Sequence, residues 1–170
     1  MQRLVCLFLF LSLMAFSYGQ DSTALKRPPY KLKVYVDEKT VYEEDLKETP
    51  YVLQENTVQL YPGETVYVEI EEEKGIVKKV HAVKENTNPE KTVVISFMQS
   101  EKNKVHEMMI LKVTNPFPRD LIYNAVIFPL RQKKWISTDV NPVQSKLASF
   151  ETWPDVITSI GLGHWTFQDK

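Results

Sequence analysis

From Thr65 to Glu72 apolar and polar residues take turns: Val66, Val68 and Ile70 point one way, Thr65, Tyr67, Glu69 and Glu71 the other. A period of two belongs to an extended strand with one buried face, because successive side chains leave opposite sides of the backbone. The same alternation runs through Tyr30, Leu32, Val34 and Val36 against Lys31, Lys33, Tyr35 and Asp37. Further strands are expected over 76–84, 92–99, 105–114, 121–130 and 135–140, with a weaker one over 51–60. Between them fall Tyr61-Pro62-Gly63, Asn86-Thr87-Asn88-Pro89 and the Asn115–Asp120 stretch, each with the Asn, Pro or Gly of a turn. Glu73-Lys74-Gly75 reads as a hairpin turn in which Gly supplies a positive φ. Helical spacing is confined to 43–48 and 154–160, a turn or two each.

Short strands spaced about 8–12 residues apart predict a sandwich or barrel, and polar outward faces favour antiparallel pairing. The expected architecture is therefore all-β, an antiparallel immunoglobulin-like β-sandwich of roughly 7–9 strands. It occupies a single domain over residues 30–170.

Ahead of it, Met1-Gln2-Arg3 is short and positive, 4–16 is almost wholly apolar, and Ser17-Tyr18-Gly19 supplies small or turn-prone residues. That order describes a cleavable signal peptide over 1–19. The apolar run is shorter than the roughly 20 residues that cross a bilayer as a helix. Residues 20–29 then read as an extended leader with little to bury. The chain's one cysteine, Cys6, lies inside the apolar run, so the mature domain is expected to fold without disulfides or thiolate sites. Net charge is −1 with 21 basic and 22 acidic residues, which speaks against a nucleic-acid partner. The expected address is the periplasm or the outside of the cell.

Candidate chemistry is sparse. The three histidines, His81, His106 and His164, show no short-range metal spacing. In a regular strand His106 and Met108 would share a face, and a hairpin could bring Met98 beside them. Imidazole and thioether ligands together suit copper; filling of core gaps by the methionines is the plainer reading. Glu69, Glu71, Glu72 and Glu73 look solvent-facing. No Gly-x-Ser-x-Gly elbow occurs, and Gly161-Leu162-Gly163 reads as a turn into a last strand over 164–168. No cofactor fingerprint is present. Aromatic residues concentrate in the last third. Among them Trp135 and Trp153, with Glu151 beside the latter, are the candidates for ligand contact, with Trp153 the exposed anchor.

These features point to an exported, non-enzymatic binding or assembly protein whose partner is another envelope or extracellular protein, or a glycan. A carbohydrate-binding module using exposed tryptophan and a periplasmic copper protein using His106, Met108 and Met98 are the alternatives. A hydrolase would need one histidine in a cleft beside a carboxylate and a hydroxyl.

Overall fold

The computed structural model describes residues 24–169; the expected signal peptide, Cys6 and the first residues of the leader lie outside them. In chain order the strands are β1 (Lys26–Arg27), β2 (Tyr30–Tyr35), β3 (Val41–Leu46), β4 (Thr49–Pro50), β5 (Val58–Leu60), β6 (Glu64–Glu73) and β7 (Ile76–Val83). They continue with β8 (Thr92–Lys102), β9 (Val105–Thr114), β10 (Asp120–Pro129), β11 (Ile136–Thr138), β12 (Ala148–Trp153) and β13 (Ile157–Gln168). A 3-10 turn at Gln54–Asn56 is the only helical element among the described residues.

Two antiparallel sheets make the body: five strands in the order β12-β9-β8-β6-β7, and four in the order β11-β10-β13-β5. The alternation explains why they face each other. Val66 and Val68 of β6, Val93, Ile95 and Phe97 of β8, and Met109, Leu111 and Val113 of β9 are buried on one inner face. Leu121, Tyr123, Ala125 and Ile127 of β10 answer them from the other sheet, with Val58 and Leu60 of β5 and Ile160, Leu162 and Trp165 of β13. Removing these faces from water is the main driving force for closure, at roughly 25 cal/mol per Å² of apolar surface. The β6–β7 hairpin closes through Lys74 and Gly75, both at positive φ (53° and 82°), the backbone that a two-residue primed turn requires.

Three local expectations fail for identifiable reasons. Residues 43–48, read as incipient helix, belong largely to β3, because its acids meet the lysines of β2 across the strand pair. Lys31 Nζ lies 3.7 Å from Glu43 and 3.8 Å from Asp45, and Lys33 Nζ 3.9 Å from Glu43. Cross-strand opposite charges stabilise such a pair. Residues 157–160 likewise start β13, and Gly161-Leu162-Gly163 is its middle, not a turn. β13 lies between β10 and β5, and Thr57 crosses its outer side. A Cβ on Gly161 would sit 3.1 Å from Val126 Cγ2, and one on Gly163 3.1 Å from Thr57 Oγ1. The glycines leave room for that close approach.

The leader is built in as well. Arg27, expected to have little to bury, has no exposed surface. Its Nε donates to Glu64 Oε1 (2.9 Å), Nη1 to Thr49 Oγ1 (2.7 Å) and Nη2 to the Gln59 carbonyl (2.7 Å). Tyr51 and Tyr61 each place a ring 4.8 Å from the guanidinium carbon. Glu64 in turn accepts from the Tyr61 N–H and the Tyr30 hydroxyl. Burial beside that carboxylate pushes the Tyr30 hydroxyl well above its usual pKa. The β2–β3 hairpin sits on this corner with its own small core of Leu32, Val34 and Leu46, against Tyr61 and Val156.

A second tie joins the sheets at the opposite end of β6. Arg119, leading into β10, makes a short ion pair with Glu72 and lies 4.3 Å from the Phe167 ring centroid. Its hydrogen bond holds the Glu72 carboxyl below the usual carboxylate range.

Arg27→Met is expected to lower folding stability by about 3–5 kcal/mol, since it leaves Glu64 buried beside no cation; urea denaturation measures it, and a loss under 1 kcal/mol would show the site to be incidental. The Glu72 clasp has the sign of a depressed acid. Its contribution is present above the ordinary pKa of 4.5 and is lost as pH falls through the lowered value. Glu72→Gln should therefore be less stable than the parent at pH 7, by about 1 kcal/mol or less. The two melting curves should converge below pH 4.5.

Candidate functional site

Three regions bear on function: the outer face of the five-stranded sheet, the surroundings of the expected ligand residues, and a cleft beside β7.

On the outer face, strand register sets Phe150 of β12 opposite Lys112 of β9, which stands opposite Ser96 of β8. One step along, Thr152, Ile110 and Met98 form the next row, and Met108 stands opposite Ser100. Phe150 is 61% exposed, Met98 42% and Met108 39%. Lys112 Nζ lies 5.6 Å from the Phe150 ring centroid. This is an apolar strip on three adjacent strands, with one cation at its margin. Aromatic and thioether side chains in such a setting are enriched where proteins meet one another, and methionine repacks readily against varied partners.

The sequence placed Met98 and Met108 correctly on neighbouring strands but misplaced His106. A β-bulge between Ser100 and Glu101 sets Glu107 as the extra residue in β9. Glu107 therefore sits on the Ser100 side, where it accepts from the Ser100 hydroxyl (2.8 Å). His106 turns to the Gln99 side instead. Its Nε2 lies 3.0 Å from the Pro154 carbonyl, which can only accept, so Nε2 carries the proton and Nδ1 accepts from Gln99 Nε2 at 2.9 Å. Gln99 also spans the Tyr35 backbone, accepting from its N–H and donating to its carbonyl (2.9 and 2.7 Å). Both ring nitrogens are thus engaged, Nδ1 supporting the Gln99 that holds β2 and Nε2 the Pro154 turn after β12. The structure does not bring His106, Met108 and Met98 to one point.

Trp153 and Glu151 lie on the inner side of β12, opposite Met109 and Leu111. Trp153 is half-buried against the main core and its Nε1 donates to Thr138 Oγ1 (3.0 Å). The expectation of an exposed anchor is corrected by the same alternation that built the strand: odd-numbered residues of β12 face in. Glu151 Oε1 accepts from the backbone and side-chain amides of Asn141 (2.8 and 3.1 Å). Both residues fasten the β11–β12 connection to the edge of the sandwich. Trp135 is different. It is 46% exposed and meets Phe128 edge to face at 5.5 Å, on the outer side of the four-stranded sheet.

The cleft, about 390 Å³, is bounded by Leu25, Val52, Asn56, Glu71, His81 and Ala82 among others. His81 lies 3.5 Å from Glu69 and 3.5 Å from Glu71. An imidazole between two carboxylates can pass a proton or meet a cationic group. Among the described residues no Ser, Thr or Cys lines the cleft, and no cluster of acids, histidines and cysteines has the geometry of a metal site. His164 is exposed at a bulge of β13 with φ 54°. The three histidines thus stand on three different strands, each with its own surroundings.

No family model, no curated protein and no solved structure matches the chain.

Collisional quenching by iodide is expected to reach one tryptophan, Trp135, and to spare Trp153 and Trp165. In Trp135→Phe the accessible fraction should vanish; substantial quenching that survives in that variant would place Trp153 at the surface.

Proposed function

We propose that this chain is an exported, non-enzymatic β-sandwich protein of immunoglobulin-like kind, which binds or helps to assemble another macromolecule in the cell envelope or outside the cell. One observation carries the reading: the strip of Phe150, Met98, Met108 and Ile110 on an open sheet face. A face meant only for solvent would continue the polar series of Thr65 and Ser96, whose hydroxyls bond to each other at 2.9 Å across β6 and β8. Exposed apolar side chains grouped on adjacent strands mark an interaction surface more often than scattered ones do. The partner is a protein of the envelope or the extracellular space, with a complementary apolar patch.

A glycan partner is the second reading, favoured by Trp135, whose exposed ring offers a face on which a sugar could stack. It needs a single aromatic platform, because Trp153 faces the core.

The decisive experiment captures partners from native envelope or culture extract with the parent protein and with a Met98→Asp/Phe150→Asp variant. The parent should retain a specific partner, the variant should lose it, and the two should melt within a few degrees of each other. Equal capture by both would move the surface elsewhere. Turnover in a substrate screen with no partner retained would overturn the reading.

A further inference from the structure

The edges of the two sheets are finished differently, and the difference singles out β12. In the four-stranded sheet, β11 and β5 are three residues each, too short to template a neighbour. In the five-stranded sheet, β7 is capped by Asn56. Its Oδ1 accepts from the Val80 N–H (3.0 Å) and its Nδ2 donates to the Lys78 carbonyl (3.3 Å). A side chain there plays the part of a paired strand. Short edges, capping and lysine are recognised means of preventing edge-to-edge association.

β12 has none of these. The Asn115 N–H donates to the Leu147 carbonyl (2.8 Å), which sets the phase of the ladder. Ser149, Glu151 and Trp153 exchange hydrogen bonds with β9, and the N–H and C=O groups of Ala148, Phe150 and Thr152 point away from it. No described residue takes up those groups. The residues that own them are exposed and uncharged. The strand's one charge, Glu151, faces inward and is held by Asn141.

We infer that two copies of this chain pair antiparallel through β12, about a two-fold axis at Phe150. In that register Phe150 meets Phe150 of the second copy, and Ala148 meets Thr152 in both directions. Every open N–H and C=O on each strand then gains a partner. Ser149 stands opposite Glu151, so like charges do not face each other. Shifted by two residues, the register would set Glu151 against Glu151, which is repulsive. The two five-stranded sheets become one continuous sheet, and the two strips of Phe150, Met98 and Met108 meet at the seam.

Sedimentation velocity on the purified protein over a rising concentration series tests this pairing. A reversible species of twice the monomer mass is expected. Phe150→Lys, which sets two ammonium groups opposite each other, and Thr152→Pro, which removes an outward N–H without touching the β9 ladder, should each abolish it. Both substitutions are at exposed sites, and circular dichroism melts check that the variants remain folded. A Phe150→Cys variant should also cross-link to a covalent dimer under mild oxidation. A monomer at every concentration would refute the pairing and leave the edge for a strand of a different chain; so would a dimer that survives both substitutions. Loss of the dimer in Thr152→Pro, which leaves Phe150, Met98 and Met108 in place, with partner capture intact would separate this inference from the binding role proposed above.

Discussion

A guanidinium taken out of water stays charged, so its N–H groups need acceptors and its faces need polarisable neighbours. Arg27 obtains both from parts of the chain far apart in sequence: Thr49, Gln59 and Glu64 for hydrogen bonds, and the rings of Tyr51 and Tyr61 as polarisable neighbours. β1 alone is two residues long and β4 is another two, far below what pairing by itself can hold. Their place is set because the charge between them has one site at which it is satisfied. Tyr30 and Tyr61 extend the same network into the β2–β3 hairpin, whose small core could not hold two strands in water unaided. The N-terminal part of the domain thus hangs on a single cation, while the sandwich behind it rests on apolar burial.

The sandwich was legible for the reason that made it stable. Val66, Val68, Ile95, Leu111 and Leu121 had to fall on one side of their strands, and a period of two says so directly. Expected strands over 105–114 and 121–130 agree with β9 and β10 to within a residue at each end. What escaped depends on partners distant in sequence. An acidic run such as Glu43-Glu44-Asp45 has no apolar rhythm of its own and becomes a strand because Lys31 and Lys33 lie opposite. Arg27 looked like a solvated residue before two prolines, since the tyrosines that enclose it come more than twenty positions later. Gly161 and Gly163 carry turn chemistry in isolation and strand chemistry beneath Thr57.

The candidate site was legible by half. Alternation put Met98 and Met108 on neighbouring strands, and the structure agrees. It could not foresee the bulge at Glu107, which rotates His106 by one side and hands its ring to Gln99 and Pro154. A bulge adds one residue to one strand, and nothing in the His106-Glu107-Met108-Met109 run marks which residue is surplus. The inward set of β12 was missed for a related reason. Trp153 precedes Pro154 and so looks loop-like, yet its register with Met109 fixes it against the core and sends Phe150, not Trp153, to the surface.

That exchange decides where recognition can occur. An exposed tryptophan beside a carboxylate would have made a local pocket suited to a small ligand. With Trp153 and Glu151 turned inward to fasten the β11–β12 connection, the same strand shows the outside an uncharged series of Ala148, Phe150 and Thr152 and a row of peptide groups that no described residue pairs. Those features recognise extended surfaces: a flat apolar strip is complementary to another flat strip, and an open edge to another strand. The two also lie side by side, since Phe150 belongs to both. Because the other long edge of the five-stranded sheet is capped by Asn56, the edges of the four-stranded sheet are short, and β2 and β3 carry Lys31, Lys33, Glu43 and Asp45, the proposed association is steered to the one border where backbone pairing and apolar contact reinforce each other.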